Sequence, residues 1–449
     1  MEELSDKDAV ELMRSRQFRV LLVVVAIVGV IASAAAWGFQ QLIYEMQQGV
    51  FYNLPGTLGF DDVPVWWPLP WLVLAGIVVA FAIVKLPGTG GHIPSNGLNA
   101  NPTQPIELPG VLLAAVAGIG LGIVLGPEAP LIGLGGGLGF LVIRALRRDA
   151  EPEAQLLVAT SGVFAAISFL FGSPVIAAVF LIEASRVGGA RMPLVLVPGL
   201  FAAGIGSLVS TGMGSWTGLS SDNISLSPVT LPDYARPEFV DFLWTIPLAA
   251  SVALGIFVIF RLGKLVTNFA AERPFLIVPV VGALVAGLAI GFDQATDKGI
   301  EQVLFSGQEE VTTLVDKAGA WSLGALALLA LCKGLAYGLA LGSFRGGPVF
   351  PALFLGAVAG LMAAKLPGFD MTPAVAVGIG AGIVAPLKLP LSAVVLTTLL
   401  VFQSGLGVTP IVVLGVVVAY LVMLALPDLQ PEEEADDAES AQPAPAAPA

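Results

Sequence analysis

Residues 126–139 read GPEAPLIGLGGGLG, and residues 347–360 read GPVFPALFLGAVAG. Gly126, Pro127, Pro130, Gly135 and Gly139 recur in order as Gly347, Pro348, Pro351, Gly356 and Gly360, each 221 positions later. A second set follows at a spacing of 216, where Gly162, Ala165, Pro174, Ala177 and Val179 match Gly378, Ala381, Pro390, Ala393 and Val395. The abundance of Gly and Ala is a poor explanation for proline-marked matches in one order. The chain therefore reads as an internal repeat, a common build of membrane transporters. Both blocks open on Gly-Pro, a helix-start signature.

Around these blocks the chain is apolar. Of its 449 residues 56% are hydrophobic and 12% charged, and the mean hydropathy is +0.89. Soluble domains carry about 25% charged residues, so this chain cannot cover itself for water and lipid is the expected solvent. Much of the net charge of −13 sits in residues 428–440, which hold acids and no base before a Pro/Ala run. Residues 428–449 are expected to be a disordered, solvated tail, with no C-terminal regulatory domain after the membrane part. No basic stripe exists for nucleic acid. Cys332 stands alone in an apolar stretch, which leaves no disulfide and no thiolate metal site.

The first apolar stretch, residues 20–37, is long enough to span a bilayer and lacks a small-residue cleavage site. Lys7, Arg14, Arg16 and Arg19 precede it, and the next basic residue is Lys85. By the positive-inside rule residues 1–19 are cytoplasmic, and residues 39–65 form an outward-facing loop. Further on, the apolar segments shorten and are interrupted by Gly and Pro: 111–126, 130–143, 155–171, 174–184, 350–364, 373–385 and 390–402. Longer ones occur near 193–210, 242–260, 275–291, 320–341 and 408–426. Broken helices at membrane depth leave backbone groups free, which only protein or a water-filled cavity can receive. The predicted fold is an all-α polytopic membrane protein over residues 20–427. Its two related halves, about 20–211 and 240–427, are expected to be inverted, with broken intramembrane helices.

Helix N-termini carry unpaired N–H groups and partial positive charge. Two of them converging at the midplane make an anion site without a full positive charge, and a Lys or Arg there could hold the anion too tightly to release it. The first block carries one carboxylate, Glu128, and the second carries none. Glu128 is either a helix-start acid satisfied by local N–H groups or a functional intramembrane acid.

These residues resemble the CLC chloride channels and proton/chloride exchangers. Gly126-Pro127-Glu128-Ala129-Pro130 is similar to the family's G-R-E-G-P motif. Gly346-Gly347-Pro348-Val349-Phe350-Pro351 resembles G-G-x-F-x-P, and Gly90-Gly91-His92-Ile93-Pro94 is a weaker match to G-S-G-I-P. The resemblance runs from Lys85 to Leu426. It implies that Glu128 gates the path by competing with the anion for the helix N-termini. It also implies anion binding by Gly91, His92, Ile93, Gly126, Pro127, Val349 and Phe350. Departures are clear as well. Gly91 stands where the family places a serine hydroxyl, and His92, the only histidine, is a structural residue, an anion donor or an acid sensor. The family's central tyrosine has no clear counterpart; Tyr420 lies inside an apolar span. Where exchangers carry a second, proton-relaying glutamate, this chain has Ala184, preceded by Glu183, which reads as a helix-end acid.

The expected function is transport of chloride through a path gated by Glu128, leaning to a passive channel because of Ala184. The alternative is a proton-coupled chloride or fluoride antiporter. An intramembrane enzyme would need a metal or nucleophile set, and there is no HExxH, no G-x-S-x-G, one His and one Cys. A cation or organic-solute carrier should show several intramembrane acids. No metal or cofactor is expected, with chloride as the bound ligand. The resemblance implies a homodimer in the cell membrane, with a pore in each subunit and protons as a second species if transport is coupled.

Overall fold

Helices begin where the sequence places Pro or a small polar residue. The computed structural model describes residues 6–61, 63–185, 189, 192–218 and 225–428. The first helices are α1 (Asp6–Arg14), α2 (Arg16–Gln47), the short α3 (Leu54–Thr57), α4 (Pro68–Lys85) and α5 (Leu108–Gly120). The first repeat holds α6 (Glu128–Leu146), α7 (Pro152–Leu170), α8 (Pro174–Ser185) and α9 (Met192–Thr217). After a connection come α10 (Phe239–Glu272), α11 (Pro274–Thr296), α12 (Glu310–Asp316) and α13 (Leu323–Ser343). The second repeat holds α14 (Val349–Ala363), α15 (Met371–Leu387), α16 (Pro390–Leu400) and α17 (Thr409–Ala425).

Caps account for several starts. Ser15 accepts the Phe18 N–H at 3.1 Å before α2, and Ser322 accepts the Ala325 N–H at 3.1 Å before α13. Glu238 and Asp241 form a reciprocal capping box at α10. Proline opens α4, α7, α8, α11 and α16, where its missing N–H leaves no bond unmade.

Among the described residues, nine helical stretches are long and apolar enough to cross a membrane, and five shorter apolar helices accompany them. Large side chains such as Leu208, Val258, Leu265 and Phe269 stand exposed on their outer faces. Such a surface fits lipid. One expectation needs correcting. Residues 39–65 are not simply a loop, because helix continues past the apolar stretch to Gln47, then through a wider turn at Gln48–Asn53 to Thr57. The sequence QQLIYEMQ keeps the helix going with a Gln41–Glu45 side-chain bond one turn apart, and Gln47 ties it to the Ile119 carbonyl. The acidic tail beyond Asp428 lies outside the described residues.

Small residues set the helix crossings. A Cβ on Gly135 would collide with the backbone of Gly162, where α6 crosses α7, and one on Gly356 would collide with Gly378, where α14 crosses α15. One turn on, Gly139 meets Ala159 and Gly360 meets Val375 in the same way. Lipid tails give little drive to associate apolar helices, so close backbone contact supplies the packing. The matching pairs carry the sequence repeat into three dimensions.

Candidate functional site

The starts of α6 and α14 meet. Gly126 N–H donates to the Gly347 carbonyl at 2.7 Å, and Gly347 N–H donates to the Gly126 carbonyl at 2.5 Å. This is an isolated antiparallel bridge, and no strand forms among the described residues. Its two partners are equivalent in the repeat, so a local two-fold axis passes between them. The axis brings two helix N-termini to one point. The buried Tyr337 hydroxyl donates to the Pro348 carbonyl at 2.6 Å and fixes the approach to α14.

Glu128 is the first residue of α6 and is fully buried. Its side chain reaches across the axis, and its Oε1 accepts the Phe350 N–H at 2.9 Å. Oε2 has no hydrogen-bond partner and rests against Gly126 and Gly347. A side chain at either glycine would overlap it, and this is the local reason both blocks carry glycine there. Of the residues singled out from sequence, Gly126, Pro127, Glu128, Val349 and Phe350 come together here.

Gly91, His92 and Ile93 lie in the loop between α4 and α5. Gly91 has φ of 105° and ψ near 180°, backbone that only glycine adopts without strain. A Cβ there would touch Val111 of α5, which also lines Gly133 of α6. This loop thus approaches α6 through one intervening side chain. Tyr420 lies half-buried in α17. Glu183, at the end of α8, accepts the Leu391 N–H at 2.9 Å, the Ser392 N–H at 2.7 Å and the Ser392 hydroxyl at 2.5 Å. It therefore caps α16 from a neighbouring helix.

Sequence reasoning missed two cations. Lys333 is fully buried in α13, with its Nζ ringed at 2.9–3.4 Å by the carbonyl oxygens of residues 302–305 and 4.4 Å from the Phe354 ring centre. It holds that segment in place, and Phe305 N–H in turn donates to Gly122 ahead of α6. Burial keeps the nearby Glu310 carboxyl above its ordinary range, with Lys333 pulling the other way. A cavity of about 40 Å³, room for two or three waters, lies beside Pro127 and is lined by Gln40, Tyr44, Gln47, Ser306, Glu309 and Glu310. The second cation is Arg345, which directly precedes Gly346-Gly347 and is 6% exposed. The available signal was a base inside an apolar run, Leu341-Gly342-Ser343-Phe344-Arg345.

A relative named YfeO is 29% identical over 355 residues in Escherichia coli O139:H28 (strain E24377A / ETEC), covering 78% of this chain and 80% of that protein. The YfeO of Escherichia fergusonii matches to the same extent. Among solved structures, a slow cyanobacterial Cl−/H+ antiporter aligns with a TM-score of 0.72 at 18% identity, over 94% of this chain and 98% of that one. A CLC-type fluoride/proton antiporter aligns with a TM-score of 0.66 at 17% identity, over 90% and 95%. At these identities the structural likeness speaks for the fold. The profile described as voltage gated chloride channel matches residues 95–424 and takes in both helix-start blocks, so the chain belongs to that family.

Proposed function

We propose that this chain carries chloride, or another small inorganic anion, across the cell membrane through a path gated by Glu128, in exchange for protons. The observation that carries the reading is the position of the Glu128 carboxylate. It lies fully buried across the start of α14 on the Phe350 N–H, where the same donors would hold a free anion. Gly126, Pro127, Val349 and Phe350 form this seat, with Gly91, His92 and Ile93 on the approach to it. Chloride is the expected cargo, with fluoride the alternative because Gly91 brings no hydroxyl.

Charge competition supplies the gate. The ionised carboxylate occupies the seat, and the protonated one has no charge to hold it against the helix N-termini, so it yields to the anion. A seat that takes either a carboxylate or an anion, with the displaced carboxylate carrying a proton, is the minimum that exchange requires. Both solved structures named above are antiporters, and this supports exchange over the passive channel toward which Ala184 leans. The passive reading keeps one observation in its favour. Ala184 cannot hold a proton, and Glu183 is engaged as the cap of α16. Exchange would need a proton route that uses neither residue.

The Lys/Arg distribution puts the N-terminus and the loop after Lys85 on the cytoplasmic side. A homodimer with a path in each subunit is the expected assembly. The test is made in liposomes loaded with chloride, with voltage clamped by a potassium gradient and ionophore. Uphill proton movement driven by the chloride gradient is the expected result. Robust chloride efflux with no proton movement would leave the passive channel, and no anion flux at all would overturn both readings.

A further inference from the structure

The cavity beside Pro127 has the wrong sign for an anion. Its volume is about 40 Å³, and its wall includes the Glu309 and Glu310 carboxylates, the Gln308 amide, Tyr44 and Gln47. Among the described residues no base lines it. A cleft walled by acids repels chloride and concentrates protons. The α2 residues fix the side it faces. α2 leaves the cytoplasmic N-terminus at Arg16, and Tyr44 and Gln47 stand at its far end, so the cavity lies on the outer side of the gate. Pro127, the residue before Glu128, forms part of its wall.

The segment that carries the acids is firmly held. Phe305, also in the wall, has φ of 60°, a conformation that is costly for a bulky side chain. Its N–H bonds to the Gly122 carbonyl at 3.1 Å, its ring meets Phe51 edge-on at 5.2 Å, and Lys333 gathers the carbonyls of residues 302–305. Gln308 is 9% exposed, and only its backbone N–H is bonded, to Ser306 Oγ at 3.2 Å. Its side-chain amide makes no hydrogen bond among the described residues, which leaves a donor and an acceptor for water in the cavity. Glu309 is exposed at the mouth, and Glu310 is half-buried behind it. Desolvation first and the Glu310 charge second push the Glu309 carboxyl up to about 8. Burial raises Glu310 as well and Glu301 adds to this, while Lys333 opposes it without forming an ion pair. Tyr44 and Tyr52 are the other titratable groups around the pair. Carboxyls raised in this way hold protons near neutral pH and can pass them on.

We propose that this cavity is an outer proton port, separate from the anion path, in which Glu309 takes protons from the outer solution and Glu310 passes them through cavity water to Glu128. This rests on the reading of Glu128 as a protonated gate given above. With Glu128 on the Phe350 N–H the port is shut, because the carboxylate is fully buried. Once Glu128 comes off that N–H, its carboxylate meets the port and takes a proton, which keeps it from returning to the seat. An O–H bond breaks on Glu310 and one forms on Glu128, with water carrying the proton between them. Glu310 is left ionised and regains a proton from Glu309. Carboxylate chains of this kind are the usual proton relays of membrane proteins. The same acids turn chloride away, so the anion leaves by a different route.

The experiment is a double-mutant cycle read as chloride efflux from liposomes, with Glu310→Gln placed in the parent and in Glu128→Gln. In the parent, Glu310→Gln should slow efflux about fivefold or more, because the gate waits for its proton. In Glu128→Gln the gate needs no proton, and the same substitution should cost less than about twofold. Equal slowing in both backgrounds would make Glu310 a structural residue and overturn the proposal. Faster efflux in both would overturn it too, by placing the acids on the anion path as a barrier. If Glu310→Gln does not fold, Glu309→Gln at the exposed mouth decides on the same comparison, with about two- to fivefold slowing expected in the parent alone. A parent that moves no chloride would remove the transport reading and this proposal together. A parent with normal flux and an unaffected Glu310→Gln would remove the proposal alone.

Discussion

Gly347→Ala tests whether the resting carboxylate lies where the structure puts it, without touching the carboxylate. A Cβ built on Gly347 overlaps Glu128 Oε2 and comes within 2.5 Å of its Cδ, so the side chain cannot stay. The backbone at Gly347 is not in the left-handed region, so alanine itself is not strained there. What must move is the far end of a flexible side chain, and its departure forfeits the bond from the Phe350 N–H. A hydrogen bond to a charged group is worth about 1.5–3 kcal/mol. That corresponds to roughly a 10- to 150-fold shift in occupancy toward the displaced gate. Chloride efflux from liposomes should therefore become high and nearly independent of pH in Gly347→Ala, while the parent stays activated by acid. Gly135→Ala serves as the contrast, since its Cβ meets backbone of α7 and should lower thermal stability without opening the path. If Gly347→Ala retains the parent's acid activation and basal flux, the carboxylate does not rest between the two glycines and the gating argument fails.

Glu128→Gln removes the charge outright and should likewise abolish acid activation; a pH profile matching the parent would show that another group gates. Removing the cap with Glu183→Ala should destabilise the protein by about 1–2 kcal/mol, as expected for a lost helix cap, and leave any proton/chloride ratio unchanged. A changed ratio at parental stability would make Glu183 part of a proton route instead. His92→Ala should shift the pH midpoint of flux or the chloride/nitrate ratio, and unchanged values of both would assign His92 to structure.

Much of the fold was readable because it depends on residues whose backbone properties are local. Proline and glycine mark helix starts wherever they stand, and close crossings need glycine whichever helix supplies the partner. Gly135 and Gly356 could thus be matched by eye before their partners, Gly162 and Gly378, were known to touch them. Charges behave differently, since a charge in an apolar run says only that something compensates it. The Phe350 N–H that meets Glu128 is 222 positions away, and the Thr89 carbonyl that meets Arg345 is 256 away. Glu128 is legible in the sequence because a family motif surrounds it, whereas Arg345 lies one residue before such a motif.

The loop before α5 shows a different limit. Reading Gly91 as a serine position that has lost its hydroxyl treats the change as a deletion on a fixed backbone. The backbone is not fixed, because at φ of 105° with ψ near 180° a serine would be strained, although its Cβ would make only ordinary contact with Val111. Restoring the hydroxyl by Gly91→Ser would therefore not restore a ligand. Arg345, at the place where the first half carries Val124, reaches this loop from the opposite half and bonds to the Thr89 carbonyl two residues before Gly91. A two-fold frame makes such a substitution possible, because it gives each half a buried valine position into which a charge can be placed without altering the other half.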